Sequence, residues 1–305
     1  MRVYFIFKEG GSINVTKVVE SLGFLGPKGT HSEEVALYLN SEQNNTGKEW
    51  KLVPYTSIYD AICAVEQGKI DRCVVPVENS IEGSINITLD TLAHDVDLQI
   101  EREIIWAVHN QLMVKNTDDE ITTIISHPQP LAQCRSFIKE HYPQAEIRPV
   151  SSTARAAKIV AEGKHKGYAV IGCHRAGTLY SLTTIATEIQ DNTTNCTRFL
   201  ILTKPKETSI NGKDKTSIIC QINGKKAGSL CEVLLEFAKR DVNLTRIESR
   251  PARTGLGKYI FFLDLEDSID KVNVKAAIKA VAQKSLWLKN LGSFNVIKID
   301  HKPRL

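Results

Sequence analysis

Leu22-Gly23-Phe24-Leu25-Gly26-Pro27-Lys28-Gly29-Thr30 is a short apolar run that stops in a glycine- and proline-bearing turn, and Val35, Ala36 and Leu39 then mark a helical face. An apolar run of strand length, a turn and a 3.6-residue periodicity together read as one β–α unit. The same order recurs downstream. Cys73–Val77, Ile121–Ile125, Ile147–Val150 and Tyr168–Ile171 each end in small or polar residues and lead into helix-like segments, and Arg198–Leu202 is a sixth candidate strand. Ile81, Ile85, Leu89 and Leu92 fall at near-helical spacing and predict another helix. Strands alternating with helices over residues 22–203 predict an α/β region.

The pattern stops at Lys204–Lys215, a polar stretch with one large apolar side chain, which reads as a linker. It then restarts with a different order. Ser217–Ile222 is strand-like, and Leu230, Val233, Leu234, Phe237 and Ala238 form one stripe of an amphipathic helix. Val242–Ile247 and Tyr259–Leu265 read as strands, Val272–Ala282 as a helix and Ser293–Ile299 as a last strand. The order βαββαβ over residues 216–300 is that of a ferredoxin-like sandwich. Residues 1–21 carry no readable pattern and stand as an unassigned N-terminal extension.

Composition narrows the function classes. The 305 residues are 42% hydrophobic and 24% charged, with a net charge of +4, too weak to argue for nucleic acid or a membrane surface. The seven cysteines are scattered and contain no CxxC pair, so reduced thiols in the cytoplasm are expected rather than a disulfide framework or zinc site. Met1–Phe7 is apolar but short and is interrupted at Lys8, too little for a signal or a membrane span.

In an open α/β sheet, ligands bind beyond the carboxyl ends of the strands, where helix N-termini offer free N–H groups. Hydroxyl and amide side chains stand at four such junctions: Gly26–Thr30, Glu78-Asn79-Ser80, Ser126-His127-Pro128-Gln129 and Ser151-Ser152-Thr153. Converging uncharged donors make a seat for a carboxylate. The same residue types also cap helices and close turns, so taken alone they identify no ligand. The histidines are dispersed, and His127 and His174 read as structural or surface residues rather than bases. No GxSxG, P-loop or GxGxxG is present, and Cys196 has no neighbouring histidine, so it reads as a packing residue. Chemistry without metal, cofactor or covalent step is the expectation.

Taken as a set, Gly26-Pro27-Lys28-Gly29-Thr30, Pro76-Val77-Glu78-Asn79-Ser80, Ser126-His127-Pro128-Gln129-Pro130 with Gln133-Cys134, Ser152–Ala157 and Asn195-Cys196-Thr197-Arg198-Phe199 resemble the prephenate dehydratase family in order and spacing. The resemblance runs from about Leu22 to Thr203. Asn243–Pro251 resembles the effector-site signature of the ACT module that many of these enzymes carry, with Gly228-Ser229-Leu230 where that family has Gly-Ala-Leu. No chorismate mutase segment is read before the domain.

The resemblance implies a catalytic region of two lobes, like type II periplasmic binding proteins. Lobe one is expected at about 22–98 and 188–203, lobe two at about 99–187, and the ACT domain after them. It implies catalytic roles for Thr197, Asn79, Ser126 and Gln133, and substrate contacts from Thr30, Ser80, Ser152, Thr153 and Arg198, the last either pairing with a carboxylate or bracing the hinge. It further implies an amino-acid effector held by Gly228, Leu230, Asn243, Glu248, Ser249, Arg250 and Pro251, most simply L-phenylalanine, in a homodimer or homotetramer. Prephenate would lose water and carbon dioxide to give phenylpyruvate. Arogenate dehydratase and a non-catalytic bilobed sensor remain open as alternatives, as does tyrosine as the effector.

Overall fold

The computed structural model describes residues 19–44, 47, 49–205 and 212–299. Residues 1–18 of the N-terminal extension and 206–211 of the linker lie outside this range.

The first lobe begins with β1 (Ser21–Leu25), α1 (His31–Asn44), β2 (Lys51–Tyr55), α2 (Ile58–Glu66) and β3 (Arg72–Asn79). A two-residue strand β4 (Gly83–Ser84), α3 (Asn86–His94) and β5 (Gln99–Ala107) follow. The chain then builds the second lobe from β6 (Gln111–Val114), β7 (Thr123–Ser126), α4 (Pro128–Gln133), α5 (Arg135–His141) and β8 (Glu146–Pro149). That lobe is completed by α6 (Thr153–Ala161), β9 (Tyr168–Gly172), α7 (His174–Tyr180) and β10 (Thr183–Ala186). It returns to the first lobe with β11 (Cys196–Thr203). The C-terminal domain is β12 (Lys215–Gln221), α8 (Ser229–Ala238), β13 (Leu244–Pro251), β14 (Tyr259–Glu266), α9 (Val272–Lys284) and β15 (Trp287–Ile299), the βαββαβ order read from the sequence.

Lobe two is a five-stranded sheet in the order β10-β6-β9-β7-β8, and lobe one contributes β5-β11-β3-β1-β2. Two strand-level expectations are corrected. Gln99–Ala107, assigned in advance to lobe two, pairs antiparallel with β11 from Cys196 to Thr203, so the crossing falls at residues 108–110 rather than near 98. Its charged residues hid it: Glu103 sits on a strand whose two faces are both covered and is fully buried. The helix expected from Ile81 begins only at Asn86, because Gly83 at φ 84° turns the chain back so that β4 pairs with β3. Left-handed backbone of that kind favours glycine and stops a helix.

Apolar patterning explains the layers. Leu22, Phe24, Val74, Phe199 and Ile201 pack one face of the lobe-one sheet against Val35 and Leu39 of α1. The other face meets Ile62 and Val65 of α2 and Leu89 and Leu92 of α3. Ile219, Ile260, Phe262 and Phe294 of the C-terminal sheet join that same cluster. The opposite side of the C-terminal sheet, Ile218, Phe261, Leu263 and Leu265, packs on Val233 and Phe237 of α8 and Val274 and Val281 of α9. The C-terminal sheet therefore lies between its own helices and lobe one. β15 ties the two further: Trp287–Phe294 pairs with β12, and Asn295–Ile299 runs parallel to Arg102–Trp106 of β5. A single sheet, β13-β14-β12-β15-β5-β11-β3-β1-β2, spans both domains.

Candidate active site

β11 lies beside β3, and the register places Thr197 opposite Asn79. The Asn79 carboxamide is oriented by its own turn: its Oδ1 accepts from the backbone N–H groups of Ile81 at 3.0 Å and Glu82 at 3.1 Å. Its Nδ2 consequently faces β11, 3.0 Å from Thr197 Oγ1, 2.9 Å from Asn195 Oδ1 and 3.2 Å from the Cys196 carbonyl. Because Thr197 Oγ1 accepts from Asn79, its own proton can be given elsewhere, and among the described residues no protein acceptor takes it. Ser80 closes the same strand crossing, with its Oγ accepting from Cys196 N–H at 3.0 Å. Asn195 went unremarked among the candidates, yet it is 2% exposed and its buried Nδ2 has no partner among the described residues. Its only sequence signal was membership of the Asn-Cys-Thr-Arg-Phe run.

These residues sit where the two lobe-crossing segments run together. Val108 N–H donates to the Asn195 carbonyl, Asn110 N–H to Gln190 Oε1 and Ile189 N–H to the Asn110 carbonyl. Gln133, at the end of α4, reaches the same crossing from lobe two, its Oε1 accepting from Asn110 Nδ2 at 3.3 Å.

The other candidates on the two lobes hold structural bonds. Ser126 is fully buried and donates to the Ile171 carbonyl at 2.6 Å, closing β7 onto β9, so its proton is not free for a ligand. Ser152 caps α6 by accepting from Arg155 N–H, with Thr153 as the first helical residue. Thr30 Oγ1 lies 3.1 Å from the Pro27 carbonyl and accepts from Glu33 N–H at 3.4 Å, capping α1. The lobes nonetheless meet there: a Cβ added at Gly29 would touch Ala154, Leu179 and Tyr180 of lobe two. Glu33, 3% exposed, pairs with Arg175 of lobe two through Nε at 2.9 Å and Nη2 at 3.2 Å.

Arg198 is corrected as a substrate contact. Strand alternation turns it to the face away from Thr197, where Nη1 meets Glu78 at 2.6 Å and Nη2 meets Glu103 at 2.6 Å and Asp264 of the C-terminal domain at 2.8 Å. Burial disfavours its charge, but Asp264 and Glu103 more than offset that and raise its pKa above the ordinary arginine value. Lys215 completes Glu103 at 2.9 Å, and Ser217 donates to Asp264 at 2.7 Å. With every carboxylate partnered inside the protein, this guanidinium braces domains.

The effector candidates divide. Gly228, at φ 79°, and Leu230 open α8, and the strand register puts Ser249, Arg250 and Pro251 at the same end of the sheet. Asn243 stands at the opposite end, bonded to Glu266 at 3.0 Å. Arg250 donates through Nε and Nη2 to both carboxylate oxygens of Asp90 in lobe one, at 2.9 and 3.0 Å, and this hydrogen bonding holds the Asp90 carboxyl below its usual 3.8. Glu248 lies on the same face, 3.6 Å from Arg246. One cavity of about 80 Å³ at the far end of lobe two, lined by Lys115, His165 and Lys166 among others, contains none of the candidate residues. No helix among the described residues is long and apolar enough to cross a membrane.

Comparison with known proteins agrees with this fold. Residues 22–207 match the prephenate dehydratase family, and residues 219–283 match the ACT domain. A relative named prephenate dehydratase from Methanocaldococcus jannaschii is 37% identical over 271 residues, 88% of this chain and 96% of that one. The crystal structure of a prephenate dehydratase from Arthrobacter aurescens in complex with L-Phe superposes with a TM-score of 0.81 at 32% identity, covering 90% of each chain. A second solved prephenate dehydratase, from Staphylococcus aureus, gives 0.78 at 31% identity over 90% of this chain and all (100%) of that one. The two-lobed α/β region with its appended βαββαβ domain thus belongs to the prephenate dehydratase family.

Proposed function

We propose that this chain removes water and carbon dioxide from prephenate to give phenylpyruvate, under the control of L-phenylalanine bound at its ACT domain. The observation that carries the reading is the Asn79 Nδ2–Thr197 Oγ1 hydrogen bond at 3.0 Å. With Asn79 fixing the oxygen, the threonine proton is left available to donate. In prephenate the ring hydroxyl departs with the C–O bonding pair, and the Thr197 hydroxyl donates to that developing negative charge. The bond to the ring carboxylate breaks as its pair enters the ring, which becomes aromatic as carbon dioxide leaves. The departing hydroxide, with one proton from solvent replacing any that Thr197 supplies, ends as water.

Uncharged donors suit this chemistry, because the ring carboxylate must surrender its charge. A bidentate arginine there would hold the ground state more tightly than the transition state and slow the step. Ser80 and Asn195 border the same pair, and the unpartnered Nδ2 of Asn195 adds a neutral donor for the dianion. Gln133 approaches from lobe two. Thr30, Ser152 and Thr153 act through helix N-termini at the lobe rims.

The ACT domain offers β13 as an edge strand of the shared sheet, with Ile247 47% exposed and Leu235 of α8 50% exposed. A second copy pairing along that edge yields an even-numbered oligomer and buries both side chains. All seven cysteines are unpaired, which fits the cytoplasm. Incubation with prephenate and, separately, with arogenate tests the reading. Phenylpyruvate from prephenate, suppressed or stimulated by added phenylalanine, supports it. Turnover of arogenate alone, or of neither compound, overturns it.

A further inference from the structure

Dispersed histidines argued against a metal site in the sequence, but folding brings three different ligand types together across the cleft. His31 and Glu34 occupy i and i+3 on the first turn of α1 in lobe one, and so share a face. Cys173 precedes α7 in lobe two. One ligand atom from each of the three lies within 4.8 Å of the other two. His31 Nδ1 is 2.9 Å from Glu34 Oε2, and Cys173 Sγ is 3.6 Å from the Gly29 carbonyl.

We propose that His31, Glu34 and Cys173 form a binding site for a thiophilic divalent cation of the zinc class, which pins lobe one to lobe two. Tetrahedral zinc with nitrogen, oxygen and sulfur ligands needs separations of roughly 3.4–3.6 Å between ligand atoms, within small side-chain adjustments of this arrangement. The His31–Glu34 hydrogen bond opens by about half an ångström to admit the ion.

The surroundings suit a cation. Arg175 N–H donates to Glu34 Oε1 at 2.9 Å and so aims Oε2 toward the other two ligands, the kind of outer support that metal-bound carboxylates receive. The Arg175 guanidinium is paired with Glu33. The His31 side chain is 27% exposed and that of Glu34 15%, giving an entry path from solvent to the buried Cys173. The plainer alternative is a hydrogen-bonded brace with no affinity for metal, which predicts different spectra. This inference does not depend on the proposed dehydratase chemistry.

Cobalt(II), a coloured substitute for zinc, separates the two in the full-length protein. One equivalent should saturate a thiolate-to-cobalt charge-transfer band in the near ultraviolet, and zinc should bleach it. Cys173→Ser should abolish the band, and His31→Gln, at the exposed rim, should weaken cobalt binding by about tenfold or more. Cys231→Ser, which removes the exposed thiol, should leave the band intact. Zinc should raise the melting temperature of the native chain and not that of Cys173→Ser. Absence of the band in the native protein, or its survival in a folded Cys173→Ser variant, overturns the proposal. If Cys173→Ser fails to fold, unchanged cobalt affinity in His31→Gln overturns it equally.

Discussion

Two adjacent residues of β11 face opposite ways and use polarity in opposite ways. Thr197 meets the Asn79 carboxamide, whose Nδ2 also donates to the Asn195 side-chain oxygen and the Cys196 carbonyl. Arg198 meets three carboxylates, with Lys215 and Arg246 beside them. The first face is the one proposed to receive a small dianion, where fixed neutral dipoles can favour developing charge without trapping the ground state. The second face joins two domains, where full charges fix geometry: once buried, each demands its partner in place. The Arg198 charge cluster thus lies one strand face away from the proposed site.

The sharpest way to break this contrast is to remove the hub. Arg198→Met leaves Glu103 and Asp264 buried with one partner fewer, and loss of one partner from a buried network costs about 3–5 kcal/mol. Urea unfolding should show that loss. An unchanged midpoint would mean the charges do not hold the domains. On the other face, Thr197→Val keeps shape and removes the donor, so turnover should fall roughly 10²–10³-fold with little change in melting temperature. Near-normal turnover would remove Thr197 from the proposed mechanism.

A smaller effect separates capping from ligand contact at the rim. Ser152→Ala should cost about 1 kcal/mol of stability through the lost α6 cap. If KM for prephenate also rises in that variant, Ser152 touches substrate as well; if it does not, the residue is a cap. The weakest effect at neutral pH comes from the Asp90–Arg250 pair. Since Arg250 depresses the Asp90 pKa, its stabilisation is complete above the ordinary value of 3.8 and declines as pH falls through the lower folded value. Asp90→Asn should therefore flatten part of the acid limb of the stability profile and leave its shape from pH 5 to 8 unchanged, as followed by thermal melts.

Legibility in the sequence followed locality. β1, β3, β7, β9 and β11 announced themselves as apolar runs because one strand's burial is written in its own residues. β2 was missed because Pro54 and exposed Lys51 suit a sheet edge rather than a core strand. β5 was missed because Glu101, Arg102 and Glu103 look like solvent residues, and only their distant partners Arg72, Arg198 and Lys215 make a strand of them. For the same reason Asn79 and Thr197 could be named from motifs, whereas the Arg198 assignment needed Asp264, 66 residues away. The His31–Cys173 approach depends on how two lobes close, which no local window records.

The β15–β5 pairing has a consequence for anyone dissecting the chain. Removal of everything after Thr203 would strip β5 of its outer neighbour and uncover Leu89, Leu92 and Leu98 on the same side. A bare strand edge beside an apolar surface invites self-association. A catalytic fragment expressed alone should precipitate or form aggregates, so the sensor domain is also part of the solubility of the enzyme it adjoins.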